Sequence, residues 1–132
     1  WIEEYFGSIP KGTKPIPRPD IEEPKKTAEV RDTVYDNIQL PAVVMGYHTP
    51  AQGEKEFYAM SMLAQLLSQG ESSRFNKVIK DEKEKAVYVG AFPLPTEDPG
   101  LALMFGIANM GVPILELESA MDVEIERVQK EI

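Results

Sequence analysis

Residues 86–109, AVYVGAFPLPTEDPGLALMFGIAN, contain two apolar segments separated by a stretch dense in turn-forming residues. Segments 87–94 and 101–109 have the length and composition of β-strands, and residues 95–100, PTEDPG, join them. A turn this short returns the chain directly alongside itself. The sequence therefore predicts an antiparallel hairpin.

Two helices in tandem are predicted just before this hairpin. In residues 54–69 the apolar positions recur at helical spacing and form a stripe wide enough to predict a largely buried helix: Phe57, Tyr58, Met60, Met62, Leu63, Ala64, Leu66 and Leu67. Gly70 stands where that helix ends, and Ser72 or Ser73 is the predicted cap of the next helix. The apolar edge of that second helix is Phe75, Val78 and Ile79.

After the hairpin, Pro113 suits a first helical turn. Apolar residues then recur at spacings of three and four, which predicts an amphipathic helix: Ile114, Leu117, Met121, Ile125, Val128 and Ile132. Its acidic residues lack the convergence of a cation site, so a solvated face is predicted: Glu116, Glu118, Asp122, Glu124 and Glu126.

Towards the N-terminus, residues 40–47 are almost wholly apolar and predict a central strand. From Ala28 the side chains alternate, with Val30 and Val34 on one side, which predicts a half-buried strand. The predicted order is strand, strand, helix, helix, strand, strand, helix. We therefore expect an α+β domain, with an antiparallel-rich sheet and helices packed on one face.

Three segments are expected along the chain. Residues 1–11 resemble the last turn of a helix closing a preceding domain, and 12–27 form a proline-rich linker. Proline-rich segments also bind aromatic grooves, but here the prolines join a helix end to a strand, which favours the linker. Residues 28–132 form the α+β domain, expected to be truncated because the chain begins without methionine and stops inside a predicted helix.

Composition excludes several classes of protein. The formal net charge is −8 over 132 residues, which argues against binding nucleic acid or anionic lipid. The chain has no cysteine, so it forms no disulfide and no thiolate metal site. No apolar run approaches the roughly 20 residues of a membrane helix, so membrane insertion is not expected.

The residue types of a hydrolytic site are also missing. A catalytic zinc needs about three protein ligands, whereas this sequence has a single histidine, His48. His48 is therefore interpreted as structural or surface-exposed. No spacing singles out a serine triad, and the glycines form no phosphate-binding motif. The residues alone thus predict no catalytic residue, no metal ligand and no cofactor in this chain.

Several stretches nevertheless resemble zinc metallopeptidases of the pitrilysin, insulinase and mitochondrial-processing-peptidase type. Residues 67–75, LSQGESSRF, are similar to the family's G-x-S-S-R-L element between two helices. Residues 5–12, YFGSIPKG, resemble the Y-F-G-x-I-P close of one domain before a linker. Residues 40–47, 86–92 and 105–109 continue the family's order of elements.

The resemblance implies a function that the residues alone do not. In this family two α/β halves, on one chain or two subunits, enclose a chamber in which zinc-bound water cleaves peptides. The zinc motif H-x-x-E-H is absent from this sequence, so the chain resembles a non-catalytic portion. Zinc is expected in the parent protein or its partner, and the other half and a peptide substrate are the expected partners.

The resemblance also suggests substrate-supporting residues. Active relatives often carry an arginine and, seven residues later, a tyrosine near the zinc. In this chain the residue seven before Tyr88 is Asp81 instead of arginine, and the segment fits the family's usual spacing only with an offset of one residue. Tyr88 is therefore the sole candidate for supporting a substrate. The favoured interpretation is that Tyr88 is an ordinary aromatic residue of a strand. Ser72, Ser73 and Arg74 are interpreted as a structural motif, with Arg74 anchoring nearby backbone or carboxylates.

Three functions follow as hypotheses. The chain is a chamber wall of an active zinc endopeptidase, a part of a degenerate homologue that binds peptides or builds an assembly, or an independent binding module. The absent arginine favours the second modestly, and the third leaves the ordered motifs unexplained. The resemblance favours a bacterial, periplasmic protein. Separately, sheet edge and apolar surface left uncovered predict that this chain self-associates.

Overall fold

The computed structural model describes residues 1–18 and 24–131. The chain divides into two units, Trp1–Tyr35 and Asp36–Ile132, each described by itself. Part of the predicted linker, 19–23, and the last predicted apolar position, Ile132, lie outside the described residues. The assignment of 12–27 as a linker stays a prediction.

The first unit contains one short helix, α1 (Ile2–Phe6). It ends at Gly7, whose N–H donates to the carbonyl of Glu3 at 2.9 Å. The strand predicted from Ala28 is not formed, and Val30 and Val34 are exposed. Alternation alone does not make a strand, since a strand also needs a neighbour to pair with its backbone and a core to cover its apolar side.

The second unit is built on a three-stranded antiparallel sheet of β1 (Ala42–Thr49), β2 (Ala86–Pro93) and β3 (Gly100–Ala108). The strand order is β1-β3-β2, so the predicted hairpin of β2 and β3 is confirmed. The prediction that 40–47 is a central strand is wrong, because β1 lies at an edge and pairs only with β3 among the described residues. Its apolar run reflects apolar side chains on both faces.

The second unit contains the three helices that the sequence predicts: α2 (Lys55–Ser68), a π-helix (Phe75–Glu82) and α3 (Ile114–Lys130). They share one core with one face of the sheet, made mainly of Ala64, Leu67, Phe75, Ile79, Ala86, Val89, Ala91, Met104, Ala108, Leu117, Ala120, Met121 and Val128. The fold is therefore α+β, as the sequence predicts. No helix in the described part of the chain has the length and apolarity needed to cross a membrane.

The prediction that α2 is largely buried is only partly right. Phe57, Ala64 and Leu67 are buried, but Tyr58, Met62 and Leu66 are exposed. These three residues lie four apart, so they form one ridge along the helix on the side away from the core. The wide apolar stripe thus serves two surfaces of α2, of which only one is covered in this chain.

The second tandem helix is present, but neither serine caps it. The helix has π geometry, with the N–H of Lys83 donating to the carbonyl of Val78 at 3.0 Å, and its N-cap residue is Arg74 without a side-chain cap hydrogen bond. The hydroxyl of Ser73 is buried without a partner within the described structure. The turn is made instead by backbone, since Gly70 adopts a φ of 83° and its carbonyl accepts from the Ser73 N–H.

The amphipathic α3 is confirmed, with one correction to its acidic face. Glu124 is fully buried instead of solvated, while Glu126 stays at the surface and pairs with Lys130. Glu124 occupies the core-facing side between Met121 and Val128, which are also buried. Helical spacing alone does not show whether a residue at the border between the apolar and polar faces is buried or exposed. The burial of Glu124 is possible because its carboxylate pairs with a neighbouring arginine.

Candidate functional site

One face of the sheet carries no helix of the second unit and presents apolar side chains. Register places Val44, Phe105 and Gly90 side by side on this face, and Met45, Met104 and Ala91 on the opposite, helix-covered face. We call the uncovered surface the outer face and define it by Val44, Tyr88, Phe92, Leu101, Leu103, Phe105 and Ile107. Tyr88 is 55% exposed and Val44 is 67% exposed.

Three aromatic rings form the centre of the outer face. The rings of Tyr88 and Phe105 stack with centroids 5.4 Å apart and planes at 27°. Phe92 meets the same Phe105 ring edge-on at 5.9 Å. Gly90 lies beneath, because a Cβ there would come within 2.7 Å of the Phe105 ring. A glycine opposite a phenylalanine thus lets the central ring lie flat between its neighbours.

The outer face differs chemically from the molecule as a whole. Its seven defining side chains carry no formal charge, whereas the chain has a net charge of −8. A face of stacked rings and aliphatic side chains is suited to burying apolar groups of a ligand. Contiguous exposed apolar surface of this kind commonly marks an interaction site.

A second candidate region surrounds the Ser72–Ser73–Arg74 motif. The side-chain amide of Asn76 donates to the carbonyls of Gly70 at 2.9 Å and Ser68 at 3.2 Å. Asn76 therefore holds the end of α2 against the start of the π-helix. Arg74 reaches the other way, to Glu131 near the end of α3, at 3.2 Å.

Arg74 belongs to a chain of charged residues that we call the charge ladder: Arg74, Glu131, Arg127 and Glu124. Arg127 contacts Glu131 at 3.5 Å and Glu124 at 3.1 Å. The hydrogen bond from Arg74, followed by the charge of Arg127, holds the pKa of Glu131 below its usual value. Hydrogen bonding to Glu124 and its charge raise the pKa of Arg127. The ladder therefore ties the motif to α3 and supplies a partner for a buried carboxylate.

Neither region has the composition of a metal centre. Among residues 1–18 and 24–131, no three histidine, cysteine, aspartate or glutamate side chains are grouped so as to hold a metal ion. The zinc that the resemblance implies for the parent protein therefore finds no ligand set in this described part of the chain.

The candidates from the sequence lie in two different places. Tyr88 lies on the outer face, whereas Arg74 begins a helix whose Phe75 and Ile79 pack into the core on the opposite face. Phe92 and Phe105 were not predicted as neighbours of Tyr88. Period-two alternation within the predicted hairpin would have placed them on one face, once the register of the turn was known.

Comparison with known proteins agrees with the sequence motifs. The family model described as the Peptidase M16 inactive domain matches residues 1–132. A curated relative, the zinc protease PqqE of Helicobacter pylori, is 28% identical over 130 residues, covering 97% of this chain and 29% of the relative. A crystal structure of a protease from Helicobacter pylori superimposes with a TM-score of 0.84 at 25% identity, covering 98% of this chain and 32% of that one.

This chain thus spans about a third of the length of the relatives it matches. The family description confirms the expected resemblance to zinc metallopeptidases and the non-catalytic nature of the domain, which carries no catalytic zinc of its own. The match runs through the proline-rich segment as well as the α+β unit. The chain belongs to the family of M16 peptidase inactive domains.

Proposed function

We propose that this chain forms a non-catalytic wall of the substrate chamber of a zinc endopeptidase, and that its outer face contacts the peptide. Zinc-activated water in another part of the parent protein or in a partner subunit cleaves the peptide. The chain contributes binding and orientation of the substrate, which lower the activation barrier by holding the scissile bond near the metal.

The observation that carries this proposal is the uncharged aromatic outer face around Tyr88. Side chains on an uncovered sheet face contribute little to the core, so a cluster of three interacting rings there favours a role in binding. The phenol hydroxyl of Tyr88 adds a hydrogen-bond donor and acceptor beside the apolar rings. Peptide backbone and apolar side chains together match this surface.

A second function, in a degenerate homologue without peptidase activity, is favoured by Asp81. The residue seven before Tyr88 is this aspartate, and it lies in the π-helix as an exposed residue. An arginine could stabilise a developing oxyanion, and an aspartate cannot take that role. In this alternative the outer face binds peptides or a subunit without cleavage.

The test is the zinc content and peptidase activity of the full-length parent protein, measured for the wild type, Tyr88→Ala and Tyr58→Ala. Tyr58 is the matched control, since it is 57% exposed but lies on α2. We expect zinc and cleavage in the wild type, a loss in kcat/KM of about tenfold for Tyr88→Ala, equivalent to about 1.4 kcal/mol, and less than about twofold for Tyr58→Ala.

Each other outcome has a definite meaning. If the parent protein contains no zinc and cleaves no peptide, the correct function is that of a degenerate homologue without peptidase activity. Active variants with equal kcat/KM would show that the outer face does not meet the substrate. The variant Tyr88→Phe separates the two contributions of Tyr88, since it keeps the ring stack on Phe105 and removes only the hydroxyl.

A further inference from the structure

Strand β2 has one residue more than its pairing with β3 uses. Ala86 lies opposite Ala108 and Tyr88 lies opposite Ile107, and these partners are neighbours in β3, so Val87 has no opposite residue in the described part of the sheet. From Tyr88 to the end of β2 the register is continuous. Two residues that face one in this way form a β-bulge, which disrupts the ladder and bends the strand locally.

The bulge changes which side chains of β2 reach the surface. Ala86 and Val89 are both buried in the core beneath the helices. Successive side chains of a regular strand point to opposite faces, so a single outward residue would separate two neighbouring inward ones. Here two residues separate them, and both are exposed, Val87 at 43% and Tyr88 at 55%. The bulge therefore adds one exposed apolar side chain directly beside Tyr88.

The packing of the core does not require this extra residue. If Val87 were absent, Ala86 would precede Tyr88 directly, and regular alternation would still direct Ala86 inwards and Tyr88 outwards. The register from Tyr88 onwards would be unchanged. A valine that stays exposed to water also contributes little hydrophobic stabilisation. Val87 thus contributes to the surface and little to the core.

Both sides of the bulge are held in place. On one side, the N–H of Lys85 donates to the Ile79 carbonyl at 2.8 Å, and the Lys85 carbonyl accepts from the N–H of Asn109 at 2.9 Å. On the other side, the ring of Tyr88 stacks on Phe105. The extra side chain between these anchors is therefore carried by a fixed backbone, which lowers the entropic cost of binding a ligand there.

We propose that Val87 is a specificity-determining residue that extends the outer face: with Tyr88 it contacts one side chain of the peptide and selects an apolar one. The inference rests on the proposed function and names the class of peptide that the outer face accepts. Two consecutive side chains offer apolar contact where a regular strand offers one. The preceding charged residue, Lys85, is paired with Glu116 at 2.9 Å. A charged peptide side chain would therefore give up hydration at an uncharged surface, whereas an apolar one would not.

The experiment measures peptide binding to the full-length parent protein by fluorescence anisotropy, with a zinc chelator present so that no probe is cleaved. Three labelled peptides carry leucine, glutamate or lysine at alternate positions and serine elsewhere, so that a varied residue reaches Val87 in more than one register. The protein variants are Val87→Lys, deletion of Val87, and Tyr88→Ala. Val123→Lys is the matched control, because Val123 is 45% exposed and lies on α3, at the opposite face of the sheet.

We expect the wild type to bind the leucine peptide about fivefold more tightly than either charged peptide, and deletion of Val87 to weaken the leucine peptide about threefold. Val87→Lys should raise the affinity for the glutamate peptide relative to the lysine peptide about fivefold more than Val123→Lys does. Both variants change the net charge equally, so the excess measures a cation placed beside the bound side chain. Val87→Lys keeps the length of β2 and decides the question even if the deletion variant fails to fold.

The two proposals fail in different ways. Equal charge selectivity in Val87→Lys and Val123→Lys, or a wild type that prefers a charged peptide, would overturn the role of Val87. If Tyr88→Ala still weakened the leucine peptide in that case, the proposed contact of the outer face with the substrate would be retained. Absence of binding to the wild type, or binding that neither Tyr88→Ala nor any Val87 variant changes, would overturn both.

Discussion

At the scale of single residues, Glu124 shows how a buried carboxylate is accommodated in a small core. The Glu124 side chain has almost no solvent exposure, whereas its partner Arg127 remains about half exposed. The arginine keeps part of its hydration and still donates to both carboxylate oxygens, at 3.1 Å and 3.4 Å. The desolvation cost of the pair therefore falls mainly on the glutamate.

This asymmetry predicts unequal effects of the two deletions. Glu124→Gln keeps a polar group of the same shape and leaves the exposed arginine hydrated, so we expect a loss of about 1 kcal/mol in the free energy of unfolding. Arg127→Ala leaves a buried carboxylate without its partner and is expected to cost more. Urea denaturation measures both, with Lys130→Ala, at an exposed surface pair, as a nearly neutral control. Equal losses would contradict the inequality.

At the scale of the elements, Ser68 links the end of α2 to the edge of β2. Its hydroxyl contacts both backbone groups of Ala91 and also approaches the carbonyl of Ala64 at 3.2 Å. The helix thus takes the place of a neighbouring strand without using its own backbone. This contact protects the β2 edge and fixes the position of α2 on the sheet.

We predict that Ser68→Ala lowers the free energy of unfolding by about 1–2 kcal/mol and exposes the Ala91 N–H to solvent. Hydrogen exchange at Ala91 should accelerate, because its donor loses its only contact in the described structure. Ser61→Ala is the matched control on the same helix, since the Ser61 hydroxyl donates to the Phe57 carbonyl within the helix. Unchanged exchange at Ala91 in Ser68→Ala would show that the serine does not protect the edge.

The elements also show what sequence patterns can predict. The hairpin and α3 follow from periodicity, because local turns and apolar spacing determine them. The predictions of a strand from Ala28 and of a central position for the strand at 40–47 were wrong, since a strand's own side-chain pattern does not specify its pairing partners. The aromatic cluster depends on the register between β2 and β3, and the burial of Glu124 depends on how α3 packs against the core. Both are tertiary properties, although the pair of Glu124 with Arg127 is local to α3.

At the scale of the whole molecule, uncovered apolar surface remains on two sides of the second unit. One is the outer face, and the other is the ridge of Tyr58, Met62 and Leu66 along α2. The relatives that the chain matches are about three times as long as this chain. In the isolated chain both surfaces are exposed to water, which favours association of apolar patches.

The α2 ridge leads to a specific expectation for the isolated chain, namely reversible self-association that strengthens with salt. Each copy carries a charge of −8, so screening by salt weakens the repulsion between copies while leaving the apolar attraction. Sedimentation velocity should show the average mass rising with concentration, and Met62→Lys with Leu66→Lys should return the chain to a monomer. Ser119→Lys adds the same kind of charge at an exposed position on α3, away from α2, and should leave association largely unchanged. A wild type that stays monomeric at high concentration and high salt would mean that neither apolar surface is extensive enough to join copies, and that their exposure serves heterologous partners alone.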